Sequence, residues 1–438
     1  MLSRRAATRD PIAFPVLCVC YQLADAYTFS TCYHTSPGQR CGVPKMDAAI
    51  AHIEELASTA QGDSRRDLRK RLVAIVRSLE TTNDTFHRLS HSHLDSAVVK
   101  IGLDLGIFKF IAGSEKSIGL ETLSEKTGAE ISLLGRLMRY LAIVGSVDQV
   151  SPAQFTANNI TRNLTRKVAE SGISHCFDMV APIYQALPSV LQSSNYLTPT
   201  DPGNTAWQRA FNTHLHALEW MSKHPDTVAR FGDYMESRDG PSRGWLDVYP
   251  VEDEILTMNN DWEEDGTQRA VFVNVGVGPA YPCAEFRKKF PNAAERVIMQ
   301  DRAPVIEKFQ AHPVSGVEYM AHDIFDAQPV KGAKCYFMRA VLHNFPDHLA
   351  RVVLERIRDA MGADSVLILD EYVISEQWSD YFPRLISDLT MLGTFSSQER
   401  DKEQWCTLLD SVGLQLVSSY PLNEPPTSET VMEVRRKY

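Results

Sequence analysis

A chain of 438 residues, 44% apolar and 23% charged, is long enough to bury a sizeable core in two or three domains. Its 45 Lys and Arg against 55 Asp and Glu leave a net charge of −10 with no sustained basic run, which argues against nucleic acid as a partner. No run of about 18 apolar residues is present, so no membrane partner is expected.

Residues 1–45 read as an extension unlike the rest, expected to be poorly ordered. Arg4, Arg5 and Arg9 precede an apolar run from Pro11 to Cys20, superficially like a signal peptide, but no small-residue cleavage site follows cleanly. An upstream start, with the functional one at Met46, would leave the same pattern. Cys18, Cys20, Cys32 and Cys41, with His34, lack the paired C-x2-C spacing of zinc sites, and no metal is expected. Cys176, Cys283, Cys335 and Cys406 are scattered singly, as buried thiols of a reduced, cytoplasmic compartment are.

From Met46 to residue 164 the periodicity is helical. Asp47 and Asp63 start two helices, and Leu94 to Phe108 carries apolar residues on one face. Ile118–Glu130 and Ser132–Leu141 form two short helices about a turn at Gly128, followed by a small β-wing at Val144–Val150 and Gln154–Ala157. A winged helix-turn-helix invites a DNA-binding reading. The second helix offers Arg136 and Arg139 but is otherwise rich in Leu and Met, without a basic stripe.

Residues 165–250 are a helical connection crowded with His175, Met179, His214, His216, Trp220, Met221 and His224. Such residues more often fill a core than a site. From 251 to 438 strands and helices alternate, giving an α/β, doubly wound, Rossmann-like sheet. Val271–Val275 is a buried parallel strand that runs into Gly276 and Gly278, where a ligand could approach the backbone closely. The second strand ends at Asp301, placed to take a ribose hydroxyl pair. The third, Gly316–Asp323, ends in an acid; the fourth, Ala333–Arg339, runs into His343 and Asp347. Ser365–Glu371 is a strand ending in two acids, and Leu414–Val417 with Thr430–Val434 forms a closing antiparallel pair. Charged groups repeated along one edge mark where open α/β sheets bind ligands.

The segment HDIFDAQPVKGAKCYFMRAVLHNFPDHLARVVLERIRDAM resembles S-adenosylmethionine (SAM)-dependent O-methyltransferases, the plant and fungal small-molecule type with a dimerising winged-helix N-domain. The likeness covers roughly residues 85–438. It implies a homodimer, SAM as cofactor and a small natural product as substrate. It implies that His343, in Leu342-His343-Asn344-Phe345-Pro346-Asp347, is the general base, flanked by Glu371 and Glu399. Histidine suits that role because its ordinary pKa lets it accept a phenolic or enolic proton. Cofactor contacts carry over as Gly276, Gly278, Asp301, Asp323, Ile324 and Arg339. The 165–250 segment walls the acceptor pocket in the family, making His175, Met179, Trp220 and Met221 candidate substrate contacts.

The chain departs from the family's V-D-V-G-G-G-x-G at Asn274, Val277 and Ala280. A β-branched residue does not comfortably take φ > 0, so the loop is expected to follow another path or to hold SAM less tightly. Two other classes therefore stay open. One is the methyltransferase-like pericyclase, a dehydration and cycloaddition enzyme using Arg339 and His175, although Ala340 stands where an acid is expected. The other is a catalytically silent metabolite-binding dimer, against which His343, Glu371 and Glu399 argue.

Overall fold

The computed structural model describes residues 44–238, 243–257, 268–276, 282–291, 296–374, 382–422 and 429–437. The expectations placed on 1–43, including the four early cysteines and His34, lie outside these residues. The chain forms two compact units, Met1–Leu89 and Ser90–Tyr438. In the first, helices span Pro44–Thr59 and Gly62–Ser78, with a third, Thr82–Ser90, at its end. Gly62–Ser78 buries none of its residues, and Val76, Leu79 and Leu89 stay exposed. No described helix is long and apolar enough to cross a membrane.

The second unit opens with the expected winged motif. Helices Leu120–Thr127 and Ile131–Ile143 meet at Gly128, whose φ of +70° ends the first of them. Strands β1 (Ile118–Gly119), β2 (Asp148–Ser151) and β3 (Gln154–Thr156) form a sheet of order β1-β3-β2. Leu123, Leu134, Met138 and Phe155 close its core. The helical connection follows. Lys167–His175 continues through a π-turn, Cys176–Val180, into Ala181–Ser193. Pro225–Ser237 packs so closely on the first of these that a Cβ at Gly172 would come within 2.8 Å of the Tyr234 ring.

The main sheet is built from β4 (Ala270–Val275), β5 (Arg296–Asp301), β6 (Val317–Ala321), β7 (Cys335–Arg339), β8 (Val366–Ile374), β10 (Leu414–Pro421) and β11 (Glu429–Arg436). Its order is β10-β11-β8-β7-β4-β5-β6, with β9 (Arg400–Asp401) pairing β8 beside that path. Strands β4 to β8 are parallel, and β11 and β10 close the sheet antiparallel. The chain crosses from the β6 edge back to β7 beside β4, so the switch point lies between β4 and β7. One face buries Val273, Met338 and Leu369 under the helices Asp347–Arg358 and Lys402–Asp410. The other packs Trp245 on Phe272 and Phe337.

Two strand ends differ from expectation. β6 stops at Ala321, two residues short of Asp323, where its partner strand β5 ends at Asp301 and the last ladder bond runs from the His322 N–H to the Asp301 carbonyl. β8 runs past its two acids to Ile374, because β11 pairs Thr430 with Glu371, and β9 pairs Arg400 with Val373. Asp370 and Glu371 are thus held inside a paired strand, nearly buried.

Candidate active site

His343 lies on a short 3-10 turn, Leu342–Asn344, just beyond β7. Its Nδ1 is 3.1 Å from Glu399 Oε1, and its side chain keeps 13% exposure against 1% for Glu399. Ser387 donates its hydroxyl to the same Glu399 oxygen at 2.7 Å, and the Glu399 backbone N–H donates to Asp388. Glu371 Oε1 accepts the N–H groups of Val341 and Leu342 at 2.9 and 2.8 Å, so it holds the turn that carries His343. The second oxygens of Glu371 and Glu399 are buried without a hydrogen-bond partner among the described residues.

These charges tune one another. Burial lowers the His343 pKa, but the Glu399 hydrogen bond and the Glu371 and Glu399 charges outweigh it and leave it above the ordinary value. Burial pushes Glu371 up, partly offset by the His343 charge and the two backbone N–H groups. With Nδ1 engaged, Nε2 is the ring nitrogen left for a substrate proton.

The cofactor-side candidates line the neighbouring strand ends. Gly276 closes β4 at φ +84°, donating its N–H to the Gln300 carbonyl. A Cβ there would sit 2.8 Å from Val341 Cγ2, so this close approach ties the β4 end to the His343 turn. Asp301 Oδ1 accepts the Arg302 N–H, and Asp323 Oδ1 accepts the Phe325 N–H, each shaping its own turn. Ile324 packs against the core beside Phe325. Gly278 lies outside the described residues, with Val277, Pro279 and Ala280.

Arg339 Nε lies 3.1 Å from Asp370 Oδ2, which is aimed too poorly to count as hydrogen-bonded. Burial pushes Asp370 up to about 7 despite Arg339, with Glu371 among the charges adding to the rise. On β4, the Asn274 side chain is fully buried with neither polar atom partnered among the described residues. A strand edge offering carboxylates, an unpaired buried amide and a positive-φ glycine suits a cationic ligand with a ribose.

The substrate-side candidates fall in two places. Met179, on the π-turn, is buried with Trp207 and Phe395, and Trp220 and Met221 pack against the same cluster. His175 is apart, its ring 5.0 Å from Phe231 and stacked 5.7 Å from Tyr234. Its Nδ1 is buried without a hydrogen-bond partner among the described residues, and burial lowers its pKa. Tyr234 lies under the Arg238 guanidinium, while the Tyr372 ring is 6.4 Å from His343. The structure therefore sets His343 on Glu399 with Glu371 holding its turn, and places His175 apart, against Phe231 and Tyr234.

Sequence reading missed Ser387, Asp388, Asp370 and Arg400 as parts of this arrangement. Arg400 is fully buried and donates to Asp347 and to the Leu342 and Phe345 carbonyls. Its adjacency to Glu399 was the one signal available.

Residues 265–415 match the family model of the O-methyltransferase domain, and residues 87–167 match that of the O-methyltransferase dimerisation domain. Among curated proteins the chain is 34% identical to O-methyltransferase lepI of Aspergillus flavus, over 85% of this chain and 95% of that one. The chain belongs to the O-methyltransferase family. It is also 30% identical to the demethylsterigmatocystin 6-O-methyltransferase of Aspergillus parasiticus, over 85% and 94% of the two chains. Among solved structures, LepI in complex with SAM and "A Pericyclic Reaction enzyme" each match at TM-score 0.74 and 33% identity, covering 90% of this chain and 99% of theirs. The family is SAM-dependent, and this chain is an enzyme of it with SAM as cofactor and a dimerisation domain of its own.

Proposed function

We propose that this enzyme methylates a phenolic or enolic hydroxyl of a small natural product, with His343 as general base. The observation that carries this reading is the His343 Nδ1–Glu399 contact at 3.1 Å, on a turn pinned by Glu371. SAM, when bound, supplies an electrophilic sulfonium methyl. Glu399 holds the Nδ1–H tautomer, so Nε2 presents its lone pair to the substrate hydroxyl. As the proton moves to Nε2, the Glu399 and Glu371 charges stabilise the imidazolium that forms. Gly276, Asp301, Asp323, Ile324 and Arg339 would hold the cofactor, with Gly278 in the loop beyond β4. His175, Met179, Trp220 and Met221 would wall the acceptor.

The pericyclase reading is kept as the second one because of the 33–34% identity to LepI and the SAM complex and description of its structures. In it Arg339 and His175 would aim at a carbonyl gaining charge. Here Arg339 pairs with Asp370, and Ala340, at φ +50°, supplies no acid. These features favour methyl transfer. The dimerisation domain, with Leu133 and Ile143 exposed on its helix Ile131–Ile143, supports a homodimer. Of the four cysteines expected to be buried, Cys283 and Cys335 are, whereas Cys176 is exposed and Cys406 half-buried; that all four are free supports a reduced, cytoplasmic setting.

Calorimetric titration with S-adenosylhomocysteine and with SAM tests the reading. Micromolar binding of both, about −8 kcal/mol, is expected. Binding of neither sinks the methyl-transfer account and leaves ring closure of a polyketide-derived diene to be sought.

A further inference from the structure

Arg400 is one of the largest fully buried side chains described, and the proposed chemistry gives it no part. Its Nε and Nη2 donate to Asp347 Oδ1 at 3.0 and 2.8 Å. Nη1 donates to the Leu342 carbonyl at 3.1 Å and Nη2 to the Phe345 carbonyl at 2.8 Å. Those carbonyls stand immediately before and two residues after His343. The guanidinium carbon lies 5.2 Å from the Trp405 ring centroid, which fixes its plane.

The residue before it in the chain is Glu399, which holds the His343 ring itself. Both are registered to the strand that carries Glu371, because β9 pairs Arg400 with Val373 and Asp401 with Ile374. One dipeptide therefore grips the base twice, ring through Glu399 and backbone through Arg400. A lysine ammonium could not serve three acceptors in one plane; the guanidinium fork does. The other groups facing His343 are Glu371 and the Tyr372 ring from β8, while Ser387 and Asp388 act on it through Glu399.

We propose that Arg400 is a positioning residue: it locks the 342–347 backbone so that the His343 ring rests on Glu399 with Nε2 turned to the acceptor. This inference rests on the His343 base reading and deepens it. A clamp that only stabilised the fold would lower the unfolding temperature and leave the surviving enzyme's turnover intact. A positioning clamp acts on turnover.

Arg400→Gln and Asp347→Asn test it. The Gln keeps a polar side chain but cannot fill three acceptors, and Asp347 is half-exposed, so its amide is expected to fold. For each variant, S-adenosylhomocysteine binding, kcat and KM for methyl transfer would be measured, with the His343 imidazole titrated by NMR of histidine-labelled protein. His343→Gln assigns that resonance. With Arg400→Gln, kcat should fall on the order of 100-fold, with KM and cofactor affinity within about 2-fold. The His343 titration should move down, because a ring no longer seated on Glu399 loses the hydrogen bond and charge that hold its pKa up, which outweighs the loss of the opposing Arg400 charge. Asp347→Asn should lower kcat by about 10-fold at unchanged cofactor affinity, and carries the test alone if Arg400→Gln does not fold. Folded variants with kcat within about 2-fold and a His343 titration that is unmoved or raised overturn the proposal. If the wild type methylates no acceptor but the titration still moves down in Arg400→Gln, the base reading fails and the clamp stands.

Discussion

The two halves of the site, a few residues apart on neighbouring strands, are finished to different degrees. Around His343 most polar groups are tied down: Nδ1 to Glu399, Glu399 Oε1 to Ser387, Glu371 Oε1 to two backbone N–H groups, and Arg400 to three acceptors; only the second oxygens of the two glutamates lack a partner among the described residues. At the end of β4, by contrast, buried Asn274 has two polar atoms without a partner among the described residues, and Asp370 faces Arg339 in poor hydrogen-bond geometry. An unmade buried hydrogen bond costs about 1–3 kcal/mol, so leaving such groups open is sensible only where something else will meet them. On the proposed reading the base is largely preorganised by the protein, and the cofactor edge would be completed by its ligand. That contrast predicts opposite mutant behaviour on the two sides.

The largest effect should come from the base. His343→Ala is expected to lower kcat by about 10²–10⁴ while S-adenosylhomocysteine affinity stays within about 2-fold. Steady-state methyl transfer and calorimetry read the two quantities separately, and a joint loss of both would erase the contrast.

On the cofactor side, Asp370 should show itself in stability. Its folded pKa of about 7 lies above the ordinary 3.8, so below pH of about 4 both states hold the proton. As pH rises towards 7, the unfolded chain releases that proton while the folded one retains it, and stability falls. Asp370→Asn should therefore gain on wild type across that window, by up to about 4 kcal/mol, as thermal unfolding at a series of pH values will show.

Gly276→Ala joins the two halves, because its Cβ would press on Val341 in the base's own turn and must take φ +84°. Strain of about 1–3 kcal/mol is expected, with cofactor affinity weakened by about tenfold; calorimetry and thermal unfolding measure both. The mildest change, Glu399→Gln, should lower kcat by roughly tenfold, about 1.4 kcal/mol. It should also sharpen the electrostatic account. The acid limb of the pH–rate profile, which reports a base that must be deprotonated, should move down, since the Glu399 bond and charge hold the His343 pKa up. An upward shift would contradict that assignment.

Much of this was legible in the sequence, and the exceptions have physical causes. Val271–Val275 and Ser365–Glu371 announce themselves as buried strands, and the sheet edge they share could be read from the charged residues after each strand. His343, Glu371 and Glu399 were found because a family pattern fixes their places along the chain. Contacts made across long sequence separations were not found. Arg400 reaches back to Leu342, and Ser387 meets Glu399 only after helix Phe382–Phe395 has packed. β8 overran its expected end because β11 and β9 continue its ladder, a tertiary effect that periodicity does not carry. His175 was named as a ligand-facing candidate, and packing sets it apart, against Phe231 and Tyr234.

The most direct test of the central claim is transfer of an isotopically labelled methyl from SAM to a panel of phenolic and enolic acceptors, with wild type and His343→Ala side by side. The account predicts a product carrying the label with wild type and its loss with the variant. A product formed equally by both proteins and free of the label, or a ring-closed compound lacking the added methyl, would contradict it.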